Sequence, residues 1–369
     1  MLHGVRVLDL SRVLAGPIAT MMLGDLGADV IKVERPEIGD ESRGWGPPFD
    51  DRGESAYYLA VNRNKMSVAL DLDRPDDREV LLSLIEGADV VLDNFVRGAL
   101  QRRGIDPDAL VAHHTQLIWC TLTGFGAESE RPGYDFVVQG ESGWMAITGE
   151  PDGQPMKAGI ALADVMAGKD TAIAILGALV ARSRAGWRAA PLAQRRFHTS
   201  LFGSALASLV NVAQNALVSG KEAKRWGNAH ANLVPYQLFQ AQDRPLVVAV
   251  GNDAQWRTCC RVLGLDGLGE DESLRTNAGR LANRDRVTGE LSARLAEGPA
   301  EEWVTLLSSA GVPSGIIRGV REALEGSGAS ALYGVPPSVP GSVRLPPPRL
   351  DEHGERIRRD LWAVFEPRA

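Results

Sequence analysis

The chain has 369 residues, of which 44% are hydrophobic and 24% charged, and its formal net charge is −7. This composition is typical of globular proteins and excludes a fibrous or disordered chain. At roughly 150 residues per domain, the length predicts two or three domains. The acidic balance argues against nucleic acid as a partner. Three cysteines without a CxxC spacing predict neither a disulfide framework nor a zinc site.

The sequence also predicts that the protein is not a membrane protein. The N-terminus runs directly into a strand pattern, with no apparent signal segment. The most apolar run, 171–181, is far shorter than the roughly 20 residues that a membrane span needs. We therefore expect a cytoplasmic protein with no membrane partner. The six histidines lack metal-ligand spacings such as HExxH, so no metal site is predicted.

Strand and helix patterns alternate through the first third of the chain. The helix patterns are 15–26, which has Pro17 near its start, and 75–86. The strand patterns are 5–10, 29–34, 66–70, 89–93 and 117–122. Such alternation is typical of βαβ units. It predicts an α/β fold built on a Rossmann-like, doubly wound parallel sheet.

The remainder of the chain has a different pattern. Helical stretches at 163–184 and 200–218 are followed by a strand pattern at 246–250 and by amphipathic helices. A tail rich in proline and glycine covers 334–348 and predicts extended structure. These changes indicate domain boundaries between about 185 and 225 and near 320.

The turn after the first strand, Ser11 to Pro17, resembles a dinucleotide site only superficially. It lacks the GxGxxG glycines that allow a tight turn and a close approach to pyrophosphate. An NAD-dependent oxidoreductase is therefore a remote alternative. The helix N-terminus at this turn could still hold an anionic group.

Asp164 precedes the alanine-rich helix and has two interpretations. A carboxylate at a helix start often serves only as a cap. It could also be a nucleophile, because an aspartate with an ordinary pKa near 3.9 is ionised at neutral pH. We expect the helix dipole to keep this group ionised.

Several further stretches appear in a particular order along nearly the whole chain. They are 4–35, 39–45, 64–73, 93–100, 133–153, 163–164, 227–236 and 248–256. Together they resemble the class III CoA-transferases, which include the formyl-CoA transferase, carnitine CoA-transferase and bile-acid-inducible F groups. The α-methylacyl-CoA racemases share this superfamily.

The resemblance implies a role for individual residues. Asp164 matches the nucleophile, and Asp135 matches an acidic residue beside it. Gly251 and Asn252 match the start of a loop whose backbone N–H groups are candidate oxyanion donors. The positions that the resemblance assigns to the CoA site are Val13, Ala15, Arg35, Leu70, Leu72, Asp73, Asn94, Phe95, Arg102 and Tyr134.

The resemblance also implies a fold, an assembly and a reaction. A large Rossmann-like CoA-binding domain would comprise 1–195 and 325–369, a linker helix 196–224, and a smaller α/β domain 225–324. Two subunits would form an interlocked homodimer. CoA and acyl-CoA would be substrates together with small carboxylic acids, without a permanently bound cofactor. CoA would move between acids through aspartyl anhydride and aspartyl-CoA intermediates.

Two alternatives stay open at this point. An α-methylacyl-CoA racemase needs a His–Asp pair, but Tyr134 stands at the histidine position, and Asp253 alone cannot replace an imidazole. A non-catalytic CoA-binding protein would have no need to retain Asp164. Leu14 replaces the glutamine of formyl-CoA transferase, which argues against oxalate or formate. With Met145 and Met166, it weakly favours an apolar acyl group.

Overall fold

The computed structural model describes residues 1–184, 187 and 190–366, which form two compact units. The first unit comprises Met1–Met145, Lys157–Lys221 and Leu324–Ala369, and the second comprises Ala146–Met156 and Glu222–Ala323. The predicted segments 1–195 and 325–369 include residues 185–186, 188–189 and 367–369, which lie outside the described residues.

The first unit is built on a six-stranded sheet whose strands are all parallel. Its order is β3-β2-β1-β4-β5-β6. The strands are β1 (Arg6–Leu10), β2 (Asp29–Glu34), β3 (Lys65–Ala69), β4 (Val90–Asp93), β5 (Ile118–Thr123) and β6 (Arg196–Ser200). The predicted parallel α/β sheet is confirmed. The strand order reverses between β1 and β4, and open α/β sheets bind ligands outside the carboxyl ends of the strands at such a switch point.

The helices complete the two units. Helices α6 (Trp144–Ile147) and α16 (Val320–Leu324) lie where the chain passes between units. The first unit contains α1 (Ala15–Asp25), α2 (Ala56–Leu59), α3 (Pro75–Glu86), α4 (Pro107–His113), α5 (Asp135–Glu141), α7 (Leu162–Arg182), α8 (Leu192–Arg195), α9 (Leu201–Ala207), α10 (Val210–Ser219) and α17 (Gly354–Asp360). The second contains α11 (Asp253–Leu263), α12 (Asp266–Glu270), α13 (Asn277–Ala282), α14 (Arg284–Leu295) and α15 (Ala300–Ser309).

Apolar side chains cover both faces of the large sheet, because neighbouring residues of a strand point to opposite faces. Val7 of β1 belongs to the core cluster that includes α1 and α7, whereas Leu8 belongs to the cluster that includes α3 and α17. Helix α7 approaches α1 closely at Gly168, where an added Cβ atom would lie 2.6 Å from the Ala15 carbonyl oxygen. This close packing fixes the N-terminal turns of α1 and α7 beside each other.

The predicted linker helix 196–224 is wrong at its start, whereas Leu201–Ala207 and Val210–Ser219 are helical. Residues 196–200 pair in parallel with β5 as the sixth strand of the sheet. The Ser200 side chain then accepts a hydrogen bond from the Gly203 N–H group, and this cap starts α9 at Leu201. Helices α9 and α10 are separate and bent by 68°. Among the described residues, no single helix is long and apolar enough to span a membrane, although this bent pair meets the length and composition criteria together.

The second unit has its own sheet and core. Strands β7 (Tyr236–Gln240), β8 (Pro245–Ala249) and β9 (Ser314–Ile316) form an antiparallel sheet in the order β7-β8-β9. Its core cluster joins β8 to α11, α14 and α15 through Leu246, Trp256, Leu291 and Leu307, which are all fully buried.

Candidate active site

Two neighbouring cavities open at the carboxyl ends of the strands of the large sheet. The first cavity, of about 270 Å³, is lined by Val13, Ala15, Asn94, Phe95, Tyr134 and Asp164 among others. The second cavity, of about 260 Å³, is lined by residues that include Arg35, Leu70, Leu72, Asp73 and Phe95. Arg12 and Phe95 line both. The two cavities thus bring together all the residues predicted for the CoA site except Arg102.

The turn after β1 is held in an unusual conformation at the edge of the first cavity. Val13 has a φ angle of 73°, which β-branched residues rarely adopt. Its N–H group donates to the Asp40 carboxylate at 3.1 Å. The Arg12 N–H group donates to Asn94 Oδ1 at 3.0 Å, and Asn94 Nδ2 donates to the Arg12 carbonyl at 2.9 Å. These bonds fix the turn after β1 to the loop after β4, on either side of the switch point.

A buried network of charges lies beneath this turn. Lys32 is 3.0 Å from Asp40 and donates to the Ser11 carbonyl at 2.8 Å, while Lys65 is 2.9 Å from Asp9. Burial lowers the pKa of Lys65 to about 8, although Asp9 opposes the shift. Burial by itself would raise the pKa of Asp40, but Lys32 and hydrogen bonds from Ser42 hold it well below its usual range. The network, which sequence reasoning missed, supports the turn with paired charges.

Asp164 lies in the first turn of α7, where its half-buried side chain lines the first cavity. Burial, together with the negative charge of Asp135, raises the pKa of this carboxyl group to about 7. The expectation of an ordinary pKa is therefore wrong. Desolvation and a like charge outweigh the favourable field of the helix N-terminus, so protonated and ionised forms coexist at neutral pH.

Asp135 uses both carboxylate oxygens to hold the chain around Asp164. Its Oδ1 atom accepts hydrogen bonds from the N–H groups of Ala163, at 2.8 Å, and Asp164, at 3.3 Å. Its Oδ2 atom accepts a hydrogen bond from Gln139 Nε2 at 2.7 Å. Gln139, only 1% exposed, in turn accepts a hydrogen bond from the Ala158 N–H group at 2.8 Å. These bonds connect α5 to the segment that leads into α7.

Tyr57 is a second residue near Asp164 that sequence reasoning missed. Burial raises the pKa of Tyr57 to about 12, and the charges of Asp164 and Asp135 contribute to the rise. Its ring packs edge-on against Trp45 with the ring centroids 5.1 Å apart. The hydroxyl group therefore keeps its proton at neutral pH and can donate a hydrogen bond. The sequence offers no signal for this residue, because α2 is a single turn and is too short to show a periodic pattern of buried positions.

One arginine that lines the second cavity lies one position along the chain from the arginine that the family resemblance implied. Arg103 lines the second cavity and pairs with Asp73 at 2.9 Å. Arg102, the predicted residue, is exposed and lines neither cavity. Arg35 lines the second cavity with its side chain 55% exposed. Arg12, Arg35 and Arg103 are therefore the cations that the second cavity offers to an anionic ligand.

Gly251 and Asn252 belong to the second unit, where they begin helix α11. The Asn252 side chain accepts a hydrogen bond from the Gln255 N–H group at 2.9 Å and caps the helix. The Gly251 N–H group donates to Gln255 Oε1 at 2.9 Å. The next residue, Asp253, forms an ion pair with the buried Arg280 at 2.9 Å. The carboxylate predicted for the racemase alternative is thus paired with an arginine.

The fold and its cavities define an α/β enzyme that holds its ligand at the switch point of a parallel sheet, with a carboxylate exposed to that ligand. The chain belongs to CoA-transferase family III, whose sequence profile matches residues 2–335. The family assignment that the sequence motifs implied is confirmed.

Similar proteins agree with this assignment. The succinate–glutarate CoA-transferase of Agrobacterium fabrum is 39% identical over 98% of this chain and 96% of its own length. The succinyl-CoA:glutarate CoA-transferase of Mus musculus is 40% identical over 99% of this chain and 87% of its own length. The crystal structure of a CaiB/BaiF family protein from Brucella suis superposes with a TM-score of 0.83, at 40% identity, over 97% of this chain and 98% of that one.

These findings establish the coarse function. The protein is an enzyme of the CoA-transferase type that acts in acyl-CoA metabolism, and CoA is its substrate. They support neither the NAD-dependent oxidoreductase nor the non-catalytic CoA-binding protein. The racemase alternative finds no support either, because Tyr134 is a poor base and Asp253 is paired with Arg280.

Proposed function

We propose that Asp164 carries the CoA through two covalent intermediates. The observation that supports this role is the position of its carboxyl group, which lines the first cavity at the start of α7 beside the loops that follow β1 and β4. A ligand that filled both cavities would pass Arg12 and Phe95 and would bring its far end to Asp164. Acyl-CoA has the required form, since a long arm separates its anionic nucleotide from its thioester.

The proposed reaction proceeds in four balanced steps. An ionised oxygen of Asp164 attacks the thioester carbonyl, the carbon–sulfur bond breaks, and CoA leaves as a thiolate with a mixed anhydride on the enzyme. The thiolate then attacks the aspartyl carbonyl, which releases the first acid and forms aspartyl-CoA. The acceptor carboxylate attacks aspartyl-CoA and displaces the thiolate. The thiolate finally attacks the acceptor's carbonyl and regenerates Asp164.

The remaining predicted roles belong to the same proposal. Gly251 and Asn252 stay our candidates for the loop that stabilises the developing oxyanion. Because the Gly251 N–H group donates to Gln255 Oε1, it must leave that partner before it can donate to substrate. We propose that Tyr57, which keeps its proton, donates a hydrogen bond to the reacting groups near Asp164.

The nucleophile is tested with Asp164→Ala and Asp164→Asn. Both variants should lose acyl transfer while they retain CoA binding by calorimetry. Mass spectrometry of the wild-type protein after incubation with acyl-CoA should find CoA attached to the peptide that contains Asp164, and borohydride reduction should convert this side chain to an alcohol. Asp170→Asn, on the same helix, is the matched control and should keep full activity. Near-normal turnover in the alanine variant would exclude Asp164 as the nucleophile.

We further propose small dicarboxylic acids as the acids that exchange CoA. The two similar transferases described above are named for succinate and glutarate. The first cavity is lined by Arg12, Arg131 and Arg196, which suit a second carboxylate. Met166 packs against the core and lines neither cavity, which weakens the earlier preference for an apolar acyl group.

A panel of acceptors tests this choice. With succinyl-CoA as donor, glutarate should react with a kcat/KM at least about tenfold higher than hexanoate, because the second carboxylate of glutarate can pair with the cavity's arginines and the methyl end of hexanoate cannot. Chromatography of the CoA esters measures both reactions in one mixture. A preference for hexanoate would contradict the proposal and restore the apolar interpretation.

We also propose that the enzyme is a cytoplasmic homodimer of interlocked subunits. Helix α10 supports a partner surface, because none of its residues is buried and Val210, Leu217 and Val218 are 69%, 77% and 78% exposed. Exposed apolar patches of this kind mark interfaces. Light scattering should give twice the chain mass. Interlocked subunits cannot separate without unfolding, so tagged and untagged dimers should exchange subunits only after denaturation; exchange under native conditions would exclude interlocking.

A further inference from the structure

Asp164 is the proposed nucleophile, but its backbone is held by a side chain from another helix. The N–H groups of Ala163 and Asp164 lie in the first turn of α7, where helical N–H groups have no partner within the helix. Asp135 Oδ1 supplies an acceptor for both, at 2.8 and 3.3 Å. The part of the chain that carries the nucleophile thus depends on α5 for its position.

Asp135 is in turn oriented by a buried amide. Gln139 lies one helical turn further along α5, and its Nε2 atom donates to Asp135 Oδ2 at 2.7 Å and to the Ile160 carbonyl at 3.3 Å. Its Oε1 atom accepts the Ala158 N–H group at 2.8 Å. Both polar atoms of the Gln139 side chain are therefore used, and the bonds to Ala158 and Ile160 connect α5 to the segment before α7.

We propose that Gln139 and Asp135 form a clamp that positions Asp164 toward the first cavity, and that Asp135 takes no part in the covalent steps. The proposal rests on the function proposed for Asp164. Both oxygens of Asp135 are occupied by donors, and Asp164 lines the first cavity whereas Asp135 does not. Asp135 and Gln139 are accordingly positioning residues.

The clamp also gives Asp164 part of its electrostatic setting. Burial is the larger cause of its raised pKa, and Asp135 is the charged group that adds to it. Asp135 and Tyr57 lie beside Asp164. The other ionisable groups that line the first cavity are Arg12, Glu41, Asp93, Arg97, Glu130, Arg131, Tyr134, Arg196 and His198. Removal of the charge at position 135 should therefore lower the pKa of Asp164 while its burial persists.

The test exchanges the hydrogen-bond donor and the acceptor between positions 135 and 139. In Asp135→Asn, the new amide keeps an oxygen for the two N–H groups of α7 but turns its NH₂ group toward the NH₂ group of Gln139. In Gln139→Glu, two carboxylates face each other. The double variant restores a donor and an acceptor, and its glutamate still accepts the Ala158 N–H group. Asp170→Asn, an acid-to-amide change on α7 at a residue that lines neither cavity, is the matched control.

We expect each single variant to lower kcat about 10- to 100-fold, because small displacements of a reacting group have effects of that size. The KM for acyl-CoA should change little. The double variant should recover most of the lost kcat, and Asp170→Asn should leave it unchanged. A double variant as slow as Asp135→Asn would overturn the proposal, because it would show that the reaction requires a carboxylate at position 135.

A second measurement does not depend on turnover. Carbon-13 NMR of labelled aspartate carboxyl groups, with Asp164→Asn for assignment, reports the titration of Asp164 directly. Its pKa should fall in Asp135→Asn, and a value unchanged from the wild type would overturn the electrostatic part of the clamp. If the pKa of Asp164 falls in Asp135→Asn but the wild-type enzyme transfers no CoA, the clamp is supported and the proposed function is refuted. If the wild-type enzyme transfers CoA but the pKa of Asp164 does not change in Asp135→Asn, the proposed function is supported and the electrostatic part of the clamp is refuted. Hydrogen exchange should show a less protected first turn of α7 in both single variants, with the protection of the large sheet unchanged.

Discussion

Asp164→Asn should stabilise the protein at neutral and alkaline pH. The folded state raises the pKa of Asp164 from 3.8 to about 7, and at about 1.36 kcal/mol per unit this shift corresponds to about 4 kcal/mol. Below pH 3.8 both states bind the proton, so the group has no effect. As the pH rises toward 7, the unfolded chain releases the proton and the folded chain retains it, so stability is lost. The loss is complete once the pH exceeds the folded pKa.

An asparagine at position 164 lacks this pH dependence. The stability of the variant relative to wild type should therefore increase by about 2 to 3 kcal/mol between pH 5 and pH 8. For a unit of this size, the difference corresponds to a shift in Tm on the order of 5 °C. Scanning calorimetry at intervals of half a pH unit measures it. Asp51→Asn, which removes an exposed carboxylate, controls for the loss of one negative charge. Parallel curves for wild type and Asp164→Asn would refute the raised pKa.

Three further predictions concern the same cavities. First, kcat/KM should fall about tenfold per pH unit below pH 7, because only the ionised form of Asp164 attacks the thioester. A discontinuous assay measures this profile, and a kcat/KM that stays constant down to pH 5 would contradict the prediction. Second, Arg103→Ala should weaken CoA binding about tenfold by calorimetry through the loss of a charge-assisted contact, whereas Arg102→Ala should not. Third, Val13→Gly should raise the free energy of unfolding by about 1 kcal/mol in guanidinium, since glycine adopts positive φ without strain; a loss of stability would show that the valine contacts matter more.

The large sheet could be predicted from sequence because its strands are buried on both faces and are therefore apolar. The strand predicted at 66–70 lies at Lys65–Ala69, one residue from its expected position. Strand β6, by contrast, lies at the edge of the sheet, and its residues Arg196 to Ser200 are half-buried or exposed and mostly polar. Such a segment lacks the apolar run that marks a central strand, so the sequence pattern does not separate it from the helical stretch that follows.

The sequence predicts a residue of the site only where the residue type and its position in the chain are sufficient to suggest its role. Asp164 stands at a helix start, and that position is visible in the sequence. Its pKa is not visible, because it depends on burial and on Asp135, which the fold brings from another helix. Arg102 and Arg103 show the same limit. They lie in a single 3-10 turn, Gln101–Arg103, where neighbouring residues point in different directions, and only coordinates distinguish them.

The cavity is arranged for function at the expense of stability. An ionised Asp164 is unfavourable in its half-buried position, and Val13 holds a strained φ angle beside it. Neither feature could persist unless stronger interactions fixed the surrounding chain. The paired charges of Lys32 and Asp40 hold the turn, and Asp135 holds the start of α7. If this reasoning is right, Val13→Gly and Asp164→Asn should stabilise the fold independently, because they relieve different strains, and their effects should add in the double variant.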